Sequence, residues 1–157
     1  MQPMLTGLAS AMLLALANPA AAVTEHFSAT IRGNIANQQI AGFRASTATW
    51  DLKRGFVAIV PAGRRDLVVV AVKGLIIPAL GFNPSPDLLA RIVCHDEAGT
   101  PAEVARTRTV PMSRAGDATL IDKVAIPGPC FAPVVLLTGS VDPDGEMPGK
   151  WFGVSGF

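Results

Sequence analysis

Asp66-Leu67-Val68-Val69-Val70-Ala71-Val72-Lys73-Gly74 decides the fold. The apolar run is too short for a stable helix and rich in β-branched residues, so it reads as a strand. Successive strand side chains point to opposite faces, and this run is apolar on both. A half-exposed strand does not tolerate that pattern, so something must cover the outer face. The cover expected first is another segment of the same chain, 76–86. A dimer partner is the alternative, because a large exposed apolar patch marks an interaction site.

Outward from this strand, helical periodicity is nearly absent after residue 23. Short runs rich in Val, Ile, Thr and Phe recur between Gly, Pro and Asp clusters, the pattern of strands joined by turns. The expected strands are 26–32, 45–52, 55–60, 66–74, 88–95, 105–112, 117–126, 134–138 and 150–155. The separators carry turn chemistry, as in Pro61-Ala62-Gly63, Glu97-Ala98-Gly99, Arg114-Ala115-Gly116 and Pro127-Gly128-Pro129. Short strands at this spacing, with no helix to cover a sheet, predict an all-β chain built as a two-sheet sandwich, immunoglobulin-like in general architecture. In the 88–95 strand, alternation puts Ala90, Ile92 and Cys94 on one face and Leu89, Arg91, Val93 and His95 on the other. Cys94 is thus expected to point into the core.

The chain has 157 residues. Its beginning has a different character. Leu5 to Ala17 is mostly apolar, Asn18-Pro19 breaks it, and Ala20-Ala21-Ala22 offers a small-residue cleavage site. This reads as a secretory signal helix over 1–22, followed by a single domain over 23–157. No Lys or Arg precedes the apolar run. A membrane anchor is the rival, but a spanning helix needs about 20 apolar residues, and Thr6, Gly7, Ser10, Asn18 and Pro19 interrupt this one. No membrane span is expected after cleavage, and the expected location is extracytoplasmic: periplasm, cell wall or extracellular space.

An exported chain meets oxidising conditions, where an even pair of cysteines usually forms a bridge, so Cys94 and Cys130 are expected to be linked. A redox or metal-binding thiol pair is the alternative. It lacks a C-x-x-C spacing and a His cluster. The formal net charge of +1 gives no basic field, so nucleic acid is not an expected partner.

The later part of the chain has a recurrent look: Gly74-Leu75 after a Val-rich strand, Asn83-Pro84, Cys94, Gly116-Asp117-Ala118, Ile126-Pro127, Cys130, Ala132-Pro133-Val134-Val135-Leu136 and terminal Trp151-Phe152-Gly153-Val154-Ser155-Gly156. Over roughly 66–157, with Trp50 as an earlier match, it resembles a type of small uncharacterised secreted bacterial β-rich protein with two cysteines and a C-terminal Trp-Phe strand. The resemblance implies secretion, one disulfide and a β-rich fold. It lends no activity and no catalytic residues.

Candidate chemistry is sparse. His95-Asp96-Glu97 carries metal-ligand types, and His26 could complete a site, but neighbouring strand residues point to opposite faces. A solvated strand end is the plainer account. Asp142 and Asp144, in Asp142-Pro143-Asp144-Gly145-Glu146, resemble the opening of a calcium loop without its remaining ligands, and an Asp/Gly turn is preferred. No nucleophile stands in a Gly-x-Ser-x-Gly frame. Trp50 and Trp151 could stack on a ligand, although packing suits them better in a chain with no Tyr. The loop from Ile76 to Asp87 is apolar, proline-rich and long, and Leu80 and Phe82 are its contact candidates.

These readings predict a secreted or envelope-associated β-sandwich that binds or supports an unknown protein or envelope component, with no cofactor and no catalysis. Two alternatives remain open: a small metal-dependent or hydrolytic enzyme using His95 with Asp96 or His26, and an inhibitor-like factor acting through the Ile76-to-Asp87 loop.

Overall fold

The computed structural model describes residues 26–140 and 149–156. The signal segment over 1–22 and the acidic positions Asp142 and Asp144 lie outside the described residues.

The strands are β1 (Phe27–Gly33), β2 (Gln39–Ile40), β3 (Phe43–Arg44), β4 (Arg54–Ala62), β5 (Arg65–Lys73), β6 (Asp87–His95), β7 (Pro101–Arg106), β8 (Val110–Pro111), β9 (Ala118–Val124), β10 (Phe131–Thr138) and β11 (Trp151–Ser155). Nine of them form one sheet in the order β7-β6-β10-β11-β1-β4-β5-β9, with β8 also paired to β6. Every neighbouring pair is antiparallel. The sheet curls round one core. Its far edge β9 returns towards the β7–β8 stretch, where the Arg108 N–H donates to Asp122 Oδ2 at 2.7 Å and the Arg108 guanidinium to the Ile121 carbonyl at 3.1 Å.

The deciding strand is β5. Its inner residues Val68, Val70 and Val72 are buried in the main core with Val57 and Ile59 of β4, Leu120 and Val124 of β9, and Ala90, Ile92 and Cys94 of β6. That enclosed apolar surface is the main stabilising term, at roughly 25 cal/mol per Å² removed from water. Leu75, fully buried, continues this core past the end of β5, and the Gly116 carbonyl accepts its N–H at 3.0 Å.

A second, smaller cluster lies on the opposite side of β6, β10 and β11. Val93, Leu136, Trp151 and Val154 are buried there beneath Ile40, Ala41 and Phe43 of the β2–β3 hairpin, with Ala45 buried among them. The Arg91 guanidinium stacks over the Phe43 ring at 4.5 Å and pairs with Glu103 at 2.6 Å, sealing the edge of this flap. Alternation along β6 therefore buries both faces, Cys94 inward as expected and Val93 beneath the flap. The hairpin turn needs two left-handed residues, Ala41 at φ 49° and Gly42 at φ 79°.

Three expectations are corrected. The 45–52 stretch is not a strand: it makes only isolated bridges, Ala45 with Trp151 and Asp51 with Ile76. Scattered backbone bonds and side chains share the task of satisfying it: buried Asn34 donates through Nδ2 to the Ser46 and Ala48 carbonyls, and Ser46 Oγ accepts the Ala48 N–H. The 105–112 stretch is interrupted after Arg106, where buried Thr107 turns its hydroxyl to accept the Ala90 N–H at 2.9 Å. Finally, 76–86 does not cover the outer face of β5. Ile77 packs on the main core, and Asn83 ties the segment to the 113–114 turn through its N–H to the Arg114 carbonyl and its Nδ2 to the Ser113 carbonyl.

Candidate functional site

The Cys94–Cys130 disulfide is formed, with Cα atoms 5.0 Å apart. Cys94 is 3% exposed and contributes to the core. The bridge joins β6 to the residue before β10, two strands already laddered from Phe131 opposite His95 to Thr138 opposite Leu89. It therefore closes the excursion through β7, β8 and β9. A bridge of this kind persists in oxidising compartments.

The polar candidates are engaged in structural tasks. His95, partly buried at the end of β6, has Nδ1 3.3 Å from the Ala132 carbonyl oxygen, a contact its Nδ1–H tautomer donates. Asp96 points its Oδ1 back into its own turn, accepting the Ala98 N–H at 2.9 Å and the Thr100 N–H at 2.8 Å. A carboxylate at the head of a tight turn satisfies the turn's unpaired donors in this way. His26 is exposed immediately before β1. Among the described residues, no group of three or more His, Cys, Asp or Glu side chains is arranged to hold a metal ion.

The aromatic candidates are inside. Trp50 is 5% exposed and its ring stacks on Phe152 with centroids 4.6 Å apart. Trp151 is fully buried and donates its indole N–H to the Phe43 carbonyl at 2.9 Å. Neither indole can meet a ligand without opening the fold, which corrects their place among the contact candidates. Leu80 and Phe82 divide. Leu80 is 49% exposed at the loop tip. Phe82 is partly buried, its ring capped by the Arg114 guanidinium at 4.0 Å.

The surface that stands out is the outer face of β1, β4, β5 and β9. Register places Thr30, Phe56, Ala71 and Thr119 in one row, Ser28, Ala58, Val69 and Ile121 in the next, and Val60, Leu67 and Lys123 in a third. Phe56 is 48% and Ile121 52% exposed, and Ala58, Val60, Leu67, Val69 and Ala71 between them are only partly buried. The flap of the second cluster covers the other half of this side of the sheet and stops short of this one. At the seam between β8 and β9, an open groove of about 540 Å³ is lined by Val72, Lys73, Met112, Ser113 and Asp117 among others.

The sequence pointed to half of this face. Leu67, Val69 and Ala71 were legible as a second apolar side of β5. The signal passed over was the same alternation in Phe56, Ala58 and Val60 and in Ile121, which extends the apolar side across three adjacent strands. Comparison with protein-family models, with curated proteins and with solved structures finds no match for this chain.

Proposed function

We propose that this chain is an extracytoplasmic module that binds or supports a protein or envelope component and does not catalyse a reaction. In this reading 1–22 is a signal helix removed on export and 23–157 is the working domain. The two halves of the curled sheet act as the layers of a sandwich.

The observation that carries the binding role is the bare apolar half of the sheet, with Phe56 and Ile121 about half exposed on a face the other described residues leave open. Contiguous apolar patches of a few hundred Å² are often functional contact sites. The Cys94–Cys130 bridge supports the location, because such bridges survive outside the reducing cytoplasm. The enzymatic reading through His95, Asp96 and His26 is less well supported, since Asp96 caps its turn and His95 faces a backbone carbonyl. The inhibitor-like reading through the 76–87 loop draws support from Leu80 alone, because Phe82 is occupied by Arg114.

The test is to express the full chain in a bacterial host, block free thiols in the intact cells, fractionate them and weigh the protein. The expected species lies outside the cytoplasm, starts at Val23 and carries no alkyl adduct until reductant is added. Full-length protein in the cytoplasm with both cysteines alkylated would overturn the proposal.

A further inference from the structure

We infer that the outer face of β1, β4, β5 and β9 is a docking surface for an anionic lipid membrane, on which the domain lies flat. The inference rests on the proposed extracytoplasmic binding role and names its partner.

The centre of the face is apolar: Phe56, Ala58, Val60, Leu67, Val69, Ala71 and Ile121. Strands about 4.8 Å apart carrying outward rows about 7 Å apart give this centre roughly 300 Å². The edges of the same face are cationic. Arg54 and Lys73 are directly paired at one end, two residues beyond Phe56 and Ala71 and therefore on their side of the sheet. Arg65, opposite Ala62, stands at the other end with Lys123 opposite Leu67, and Arg32 follows Thr30 on β1. All of these cations are exposed. Among the described residues the recorded ion pairs are those of Glu103 with Arg91 and Arg106, so none of the cations on this face is neutralised by a salt bridge. Asp117, two residues before Thr119 and so on this side of the sheet, has its Oδ1 engaged by the Gly74 N–H at 2.9 Å.

Charge selects the occupant. A second copy laid face to face with its strands aligned, in either direction, would set cationic ends against cationic ends, so that pairing is opposed. The surface calls for an anionic partner with an apolar layer beneath its charge. A bilayer surface containing anionic phospholipid has that order: phosphates level with the Lys and Arg heads, acyl chains within reach of Phe56, Leu67 and Ile121. Among the described residues, the uncharged polar side chains in the centre's rows are Ser28, Thr30 and Thr119, too few to orient a protein partner by directional hydrogen bonds. A fluid layer needs no such orientation.

The test is co-sedimentation of the purified full chain with vesicles of phosphatidylcholine alone or with one quarter phosphatidylglycerol, at low and high salt. Binding is expected to the anionic vesicles only, and to fall as salt screens the cations. Each basic residue near an anionic surface accounts for about a fivefold change in binding. Arg65→Glu with Lys123→Glu should therefore weaken binding at least about 25-fold. Phe56→Ser with Ile121→Ser should weaken it at least about tenfold. The charge variant alters only exposed side chains, so it decides the matter should the apolar variant fold poorly. No sedimentation with anionic vesicles, equal binding to neutral ones, or undiminished binding by the charge variant would each overturn the inference. So would capture of an acidic protein through this face without vesicle binding. Export and the disulfide are measured separately, so failure here is distinguishable from failure of the proposed function.

Discussion

Removing the Cys94–Cys130 bridge should cost a predictable amount of stability. The cysteines are 36 residues apart, and the segment between them holds β7, β8 and β9. In the chain-entropy account, a cross-link over a loop of that length restricts the unfolded chain by about 4 kcal/mol at 25 °C. The native side changes little, because β6 and β10 stay laddered from Val93–Val134 to Leu89–Thr138 whether or not the sulfurs are joined. For a domain of this size, each kcal/mol moves the melting temperature by about 3–4 °C. The Cys94→Ala, Cys130→Ala double variant should then melt about 12–16 °C below the native protein, with its far-ultraviolet circular dichroism at low temperature unchanged. The reduced native protein is the control that keeps both sulfur atoms in place. Its melting temperature should fall about as far, because the lost constraint is the same. A drop under about 3 °C in both samples would refute the reasoning. A large drop in the alanine variant alone would assign the effect to core packing at Cys94 instead of chain entropy.

Three further substitutions probe regions outside the proposed site. Trp151→Ala empties the centre of the second cluster and removes the bond to the Phe43 carbonyl. It should destabilise the domain by about 3–5 kcal/mol in denaturant titration, and a loss under about 1 kcal/mol would mean that the flap is not held by this ring. In the 76–87 loop, Leu80→Ser should leave the melting temperature within experimental scatter, whereas Phe82→Ser should lower stability by about 1–2 kcal/mol through the lost Arg114 contact and packing. Equal effects would show that the loop tip packs differently.

Much of the fold was legible because alternation is a strong signal where one face is buried. β4, β5, β6, β9, β10 and β11 fall where the apolar runs and turn residues put them, and Cys94 faces inward as its neighbours required. The failures have physical causes. Thr and Trp in 45–52 have strand-like propensities, but Asn34, distant in sequence, takes the Ser46 and Ala48 carbonyls and the segment stays irregular. The β2–β3 hairpin was missed because two-residue strands carry almost no periodicity. Both faces of β5 being apolar showed that two environments existed, but not which element met the second. That depended on the β2–β3 flap lying over β6, β10 and β11 instead of β4, β5 and β9. The cationic frame was equally hidden, since Arg32, Arg54, Arg65, Lys73 and Lys123 share a face only once the strand register is known.

Among the described residues, one side of one sheet is covered over half its width and bare over the other. Hydroxyl-radical footprinting of the native protein in dilute solution, read residue by residue by mass spectrometry, measures that directly. Phe56, Leu67 and Ile121 should be oxidised readily, while Trp151, Phe152 and Leu136 are protected until the domain unfolds. Protection of Phe56 and Ile121 to the level of Trp151 would show that the chain covers this face itself, and would contradict the account.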